Sequence, residues 1–416
     1  MPSLGLASDS TPGLTQSAVV RSTDKTEIRQ GRWGKNMNIY VVGAGVSHQV
    51  SYPLGGALFS YIDSYIREGR AFPDRKDYAE EWPKLCRWLK GNRDSLVRAA
   101  YITGNIENIF TALDFARKLR DEGHSKVARS IRKSNQAEPN DAEGDSKRID
   151  HQTDPHVRYS CILRWALVRY FQQRHQEDLK TSKSQDPGWQ VLRRFGEKMR
   201  PSDVVITFNY DATLERVLLE QGKWNPSDGY RLGSTQLQPE NGFHCPPSGP
   251  SAVPILHLHG SFGWYTNFSP SHVSGAYISL SADFLHGLGI EAEDVTWKDN
   301  PASSNPTHVD PIVIHPSFFK DYNDWKQYGA LPGLWREAAR ALRAADGIYI
   351  VCYSLPAADS AALTFLVTNC DRKKVEIIER DKATCMRLRQ LLGPLRSPVL
   401  NLKPIIDFEE WVETAS

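Results

Sequence analysis

Two hydrophobic periods run through this chain, and the switch between them marks out its elements. Short β-branched and aromatic runs at 38–43, 204–207, 254–258, 347–352 and 375–378 predict buried strands, with a further short candidate at 311–314. Between them the apolar residues recur at intervals of three and four, which predicts helices. Leu54, Leu58, Ile62 and Ile66 form one such stripe, and Trp82, Leu85, Trp88 and Leu89 another. Ile106, Ile109, Phe110, Leu113 and Ala116 form a third, and Ile162, Trp165, Ala166, Val168 and Phe171 a fourth. Helical patterns return at 334–345, 360–367, 382–392 and 407–414. Strands alternating with helices imply an α/β fold with a Rossmann-like parallel sheet, right-handed crossovers and helices on both faces. The stretch from about 70 to 200 predicts a large helical insertion between the first two strands.

Elsewhere there is little to bury. Residues 1–36 predict a mobile tail before a domain at 37–416, and 134–156 a disordered loop inside the insertion. Residues 222–251 look loop-like, and 265–310 give no clear assignment. We find no repeat of fixed period.

Composition narrows the function classes. The 416 residues are 40% hydrophobic and 24% charged, as in a globular protein. Fifty-one basic against forty-nine acidic side chains leave a formal charge of +2, which carries no footprint of direct nucleic-acid binding. The six cysteines are scattered and form no Cys-x-x-Cys pair, consistent with reduced thiols of a cytoplasmic protein. Cys352 and Cys370 lie in apolar runs and are the expected buried ones. No apolar run has the length of a membrane span.

Candidate chemistry gathers where strands end. Asn38–Ser47 reads NIYVVGAGVS, a strand broken by Gly43-Ala44-Gly45 and followed by a helical pattern. That unit places a phosphate against backbone amides and a helix N-terminus. Asn209-Tyr210-Asp211, His259-Gly260-Ser261, Tyr353-Ser354 and Glu379-Arg380-Asp381 end the other strands. In an open parallel sheet all five would line one crevice. Each has a plainer explanation. Asn209 and Asp211 suit the cap of a helix starting near Ala212, and Glu379 and Glu107 suit solvated surfaces. His257 and His259, two apart on a strand, could supply half of a metal site. His257 alone suits a structural hydrogen bond, and Trp82, Trp88 and Trp165 suit the core.

Taken together and in order, VVGAGVS, TFNYD and LHLHGSF resemble the sirtuin-like NAD-binding family, with further likeness at NIENIFTALD, IYIVCYSLPAAD and VEIIERD. The resemblance implies that Gly43, Ala44, Gly45 and Ser47 hold the NAD phosphates. It implies that Asn209 lies beside the nicotinamide ribose, that Asp211 holds the nicotinamide, and that His259 is the catalytic base. Ser354 and Glu379 would reach the adenosine side, Glu379 standing where many relatives carry Asn. Deacylase sirtuins bind a structural zinc through two Cys-x-x-Cys pairs, which this chain lacks, so no zinc is expected. They also carry Pro-Asp-Phe-Arg where this chain has Ser51-Tyr52-Pro53-Leu54. The chain looks more like the divergent bacterial branch, whose members hydrolyse NAD in antiphage defence.

The expected reaction is hydrolysis of NAD to nicotinamide and ADP-ribose. A histidine with an ordinary pKa near 6.5 can accept the proton near neutral pH. The alternatives are a module that binds NAD or ADP-ribose without turnover, an NAD-dependent protein deacylase, and a metal-dependent hydrolase built on His257 and His259. An unregulated NADase would harm its own cell, so the resemblance implies gating, through a homo-oligomer or a partner such as a translocase-type ATPase.

Overall fold

The computed structural model describes residues 36–70, 76–119, 155–181, 186–232, 252–268, 277–290, 308–314, 331–356, 359–371, 373–393 and 407–414. Five strands numbered along the chain form its central sheet. They are β1 (Asn38–Val42), β2 (Val204–Thr207), β3 (Ile255–His257), β7 (Gly347–Val351) and β8 (Lys374–Ile378). All pair in parallel, in the order β3-β2-β1-β7-β8. Strand β1 is central because its four residues Ile39–Val42 are all buried and apolar, leaving neither face for water. The register aligns Val42 with Thr207 on one side and with Val351 on the other. Neighbouring strands therefore stop at the same level, and the loops after them share one edge. The sheet grows outward from β1 in both directions, which puts the reversal of strand order between β1 and β7.

A second sheet was not legible in advance. Strands β4 (Gly260–Phe268), β5 (Tyr277–Leu280) and β6 (His308–Val313) pair antiparallel in the order β5-β4-β6. The short run expected at 311–314 belongs to β6, so its pairing partner is β4 rather than a parallel neighbour. Polar and glycine residues interrupt the apolar alternation across 265–310, which is why that stretch resisted assignment.

Between β1 and β2 the chain is helical wherever it is described. A short α1 (Ala44–Ser47) passes into a 3-10 turn, followed by α2 (Gly55–Arg67), α3 (Lys76–Gly91), α4 (Ser95–Thr103), α5 (106–119), α6 (Pro155–Thr181) and α7 (Pro187–Lys198). Asp94 caps α4 through the Leu96 amide, and Gly104 closes it at φ +66°. Asp186 caps α7 ahead of Pro187. The stripe on α5 is buried as its spacing predicts, but α2 buries Leu58, Phe59, Ile62 and Tyr65, while Leu54 stands half-exposed before the helix. Trp82 is in the core, whereas Trp88 and Trp165 are only partly covered. Pro155 and His156, expected in a loop, open α6. The tail at 1–35 and the loop at 134–154 lie outside the described residues.

The remaining helices are α8 (Thr213–Glu220), α9 (Ala282–Gly287), α10 (Leu331–Ala344), α11 (Ser360–Asn369), α12 (Lys382–Leu392) and α13 (Phe408–Thr414). Helices α7 and α13 seal the start of the central strands. Tyr40 stacks on Tyr349 at 5.3 Å and meets Phe195 edge-on at 5.5 Å, with Trp411 at 6.4 Å. Burying each such ring contributes about 1.5–3 kcal/mol. No described helix is long and apolar enough to cross a membrane.

Candidate functional site

A cavity of about 580 Å³ opens at the carboxyl ends of the parallel strands. Each of the five strand-end clusters contributes to its wall: Ala44 and Gly45 after β1, Asn209 to Asp211 after β2, His259 after β3, Tyr353 and Ser354 after β7, and Glu379 to Asp381 after β8. His48 and the α2 residues Gly55 and Gly56 close another side, and the insertion adds Asn105 and Glu107. Glu107, which suited a solvated surface, is thus part of the wall. The volume suits a ligand of dinucleotide size.

The glycine turn is shaped by packing. A Cβ at Gly43 would lie 2.4 Å from Tyr353 Cα, and one at Gly45 would lie 2.8 Å from Cys352 Cβ. The β1 turn can cross the β7 turn only without side chains there. The Gly43 amide donates to Val351 O at 3.1 Å and the Gly45 amide to Cys352 O at 3.3 Å. Neither of these two amides is offered to a ligand, although Ala44 and Gly45 of the expected phosphate cradle are on the cavity wall. Helix α2 supplies an alternative. It starts after Leu54 without a side-chain cap or a first-turn acid, and its opening residues Gly55 and Gly56 are on the wall. The first amides of a helix lack intrahelical partners.

Ser47 is likewise displaced from its expected role. It is 2% exposed and off the cavity wall. Its hydroxyl donates to Asp211 Oδ1 at 2.9 Å, accepts from Asn209 Nδ2 at 3.3 Å and lies 3.1 Å from Thr213 Oγ1. It ties the loop after β1 to the loop after β2. Asp211 Oδ1 also accepts from the Thr213 amide at 3.1 Å and from the Thr213 hydroxyl at 2.8 Å. Asp211 therefore holds the start of α8, as the plainer reading had it, while remaining on the cavity wall. Burial raises its carboxyl, against the lowering effect of the Thr213 and Ser47 bonds.

His259 is placed by the passage from one sheet to the other. Gly260 follows it at φ +78°, where a Cβ would lie 1.9 Å from Ile312 O, so only glycine makes this turn. The His259 carbonyl accepts from the Ile314 amide at 2.8 Å. His259 is 4% exposed, its ring 5.0 Å from the Phe208 ring and 6.4 Å from that of Tyr210. His259 Nε2 lies 3.4 Å from Asp359 Oδ1, and Asp359 Oδ2 accepts from the Tyr353 hydroxyl at 2.6 Å.

His257 is not on the wall. Its Nε2 meets Glu215 Oε1 at 2.5 Å and its Nδ1 lies 3.1 Å from the Asn209 carbonyl. Desolvation lowers its pKa, but the Glu215 charge and hydrogen bond outweigh it and raise the net value. Both ring nitrogens are engaged, which removes His257 from any His-x-His metal pair. Among the described residues no three His, Cys, Asp or Glu side chains are grouped to hold a metal.

The wall carries six carboxylates, on Glu107, Asp211, Asp359, Glu379, Asp381 and Asp407, against Arg380 and the two histidines His48 and His259. Those acceptors favour a ligand with hydroxyls to donate and a cationic end, and leave an anionic group to Arg380 and the α2 N-terminus. Ser354 and Glu379 sit at one end, where Arg387 holds the loop through the carbonyls of Ser354 and Leu355. Cys352 is on the wall rather than fully buried, unlike Cys370, and burial raises its thiol. Asp359, Asp407 and His48 were not singled out from sequence as site residues. Only Asp359 left a usable signal, as an acid ahead of a helix in SLPAAD. No protein-family model and no curated protein matches this chain.

Proposed function

We propose that the chain is an NAD hydrolase that cleaves the bond between nicotinamide and ribose. The finer architecture belongs to the same proposal: a Rossmann-like sheet with α3 to α7 as a helical insertion that completes the ligand site. One observation carries the reading. Asn209 and Asp211 from one motif and His259 from another share one dinucleotide-sized cavity at the carboxyl edge of the sheet. The acidic wall suits NAD, whose riboses present diols and whose nicotinamide carries positive charge. Its pyrophosphate would rest on the α2 N-terminus, Ala44 and Arg380, with Ser354 and Glu379 toward the adenosine.

Bond cleavage leaves an oxocarbenium-like ribose, and nearby carboxylates stabilise such a cation. Asp211 would orient the carboxamide and Asn209 a water or ribose hydroxyl. His259 would accept the proton. Gating through a homo-oligomer or an ATPase partner, and a place in antiphage defence, come from the sirtuin-like resemblance alone. The test is to incubate purified protein with NAD and follow nicotinamide and ADP-ribose. Stoichiometric release that disappears in Asn209→Ala and His259→Ala is expected, and NAD loss at the wild-type rate in both variants would overturn the reading. A module that binds NAD without turnover is the second reading, favoured by the structural engagement of Asp211 Oδ1. Calorimetric binding of NAD with no product formed would select it.

A further inference from the structure

Asp359 occupies the N-cap position of α11, where an aspartate ordinarily bonds the first free amides of its helix. It makes no such side-chain bond. Its carboxylate turns instead to two residues of the cavity wall, accepting from Tyr353 through Oδ2 at 2.6 Å and facing His259 Nε2 through Oδ1 at 3.4 Å. The Asp359 side chain is 4% exposed and that of His259 5%. A buried carboxylate is costly without partners, and giving up the cap bond forgoes a local one. Leu355 has φ +51°, Tyr353 stacks on Phe208 at 4.9 Å, and Phe208 in turn meets the His259 ring.

We propose that Asp359 is the positioning residue of His259, and that Tyr353 fixes Asp359 in that role. The inference rests on reading His259 as the base and adds which ring nitrogen does the work. An ionised carboxylate offers Nε2 only acceptors, so Nε2 carries the proton and the lone pair of the neutral ring is on Nδ1. When Nδ1 takes a proton from the attacking water or ribose hydroxyl, the imidazolium forms beside a negative charge that stabilises it. No bond to Asp359 forms or breaks, and the carboxylate stays ionised throughout. The described titratable groups around the ring are Asp359 ahead of α11, Tyr353 after β7, and Tyr210 and Asp211 after β2. Tyr210 spends its hydroxyl on Ile314 O at 2.6 Å, and Asp211 is tied to Ser47 and Thr213. Asp359 is therefore the carboxylate that sets the state of this ring.

The test reads the ring directly, without turnover. Protein carrying ¹⁵N-labelled histidine, with the His259 signals assigned by their loss in His259→Gln, reports the tautomer and the titration midpoint. Wild-type protein is expected to show the Nε2-protonated tautomer, and the Nδ1-protonated one would overturn the proposal with no variant needed. In Asp359→Asn, which keeps the shape and removes the charge, the midpoint is expected to fall by about one pH unit. An unchanged midpoint in folded Asp359→Asn would also overturn it. If NAD is hydrolysed, kcat in that variant should fall about tenfold or more at similar KM, with its acid limb displaced to lower pH. A shifted midpoint in a protein that leaves NAD intact would retain the positioning role and discard the hydrolase.

Discussion

His257 and His259 stand two residues apart, each beside a buried carboxylate, and the fold makes opposite use of them. His257 ends β3 inside the core, locked between Glu215 and the Asn209 carbonyl, with the Tyr230 hydroxyl 3.2 Å from the same Glu215 oxygen. His259 lies just past the strand, where the chain leaves the parallel sheet, and its ring reaches the cavity. The difference is one of closure. Every polar atom of the His257 imidazole is satisfied by protein, whereas His259 meets its carboxylate at the longer distance of 3.4 Å and shares a wall with empty space for a ligand. Apo distances at catalytic pairs are often long and tighten when a substrate arrives. His257 holds the backbone of Asn209, whereas His259 stands on the cavity wall beside Asp359.

Substitutions can break this comparison. The largest effect is expected at His259→Ala, which should slow NAD loss about a thousandfold, the range for a lost general base, while the melting temperature stays near wild type. Comparable slowing from a well-folded His257→Asn would erase the distinction. Glu215→Gln should instead act on stability, costing about 1–3 kcal/mol in urea unfolding, because it weakens the buried hydrogen bond that engages His257 Nε2. Gly260→Ala should cost about 2–3 kcal/mol, since the new Cβ meets Ile312 O and the backbone is left-handed. Ser47→Ala removes a donor from Asp211 and is expected to cost about 1–2 kcal/mol, with a modest rise in KM for NAD.

The smallest effect is a pH slope that sharpens the picture of the core pair. The folded His257 pKa is raised above its unfolded value, so its contribution is complete below about pH 6.5 and is lost as pH rises through the folded value. The urea midpoint of wild type should therefore fall with rising pH relative to that of His257→Asn. Parallel midpoints across that range would mean that His257 is not charged in the folded protein.

The strands of the central sheet, the α5 stripe and the gathering of five polar strand ends at one edge were all legible in the sequence. Each depends on near-neighbour rules: apolar runs, a period of 3.6, and parallel strands whose loops share an edge. What the sequence could not supply was the use of each polar atom. NIYVVGAGVS reads as a phosphate turn because glycine permits close approach, but what approaches is the backbone of Cys352 and Tyr353. Ser47 reads as a ligand contact, yet it is the joint between two loops. The antiparallel sheet escaped notice because β4, β5 and β6 pair across long, broken stretches with no local signature. Asp359 reads as a helix cap until Tyr353 and His259 are placed beside it.

Local pattern thus determined that the chain forms a parallel α/β sheet and which residues stand at its carboxyl edge. Tertiary structure alone decided which of those side chains face the cavity and which are spent on one another. Hydrogen-bond satisfaction is settled between groups more than a hundred residues apart, as between Ser47 and Asp211. Sequence spacing carries no record of that settlement.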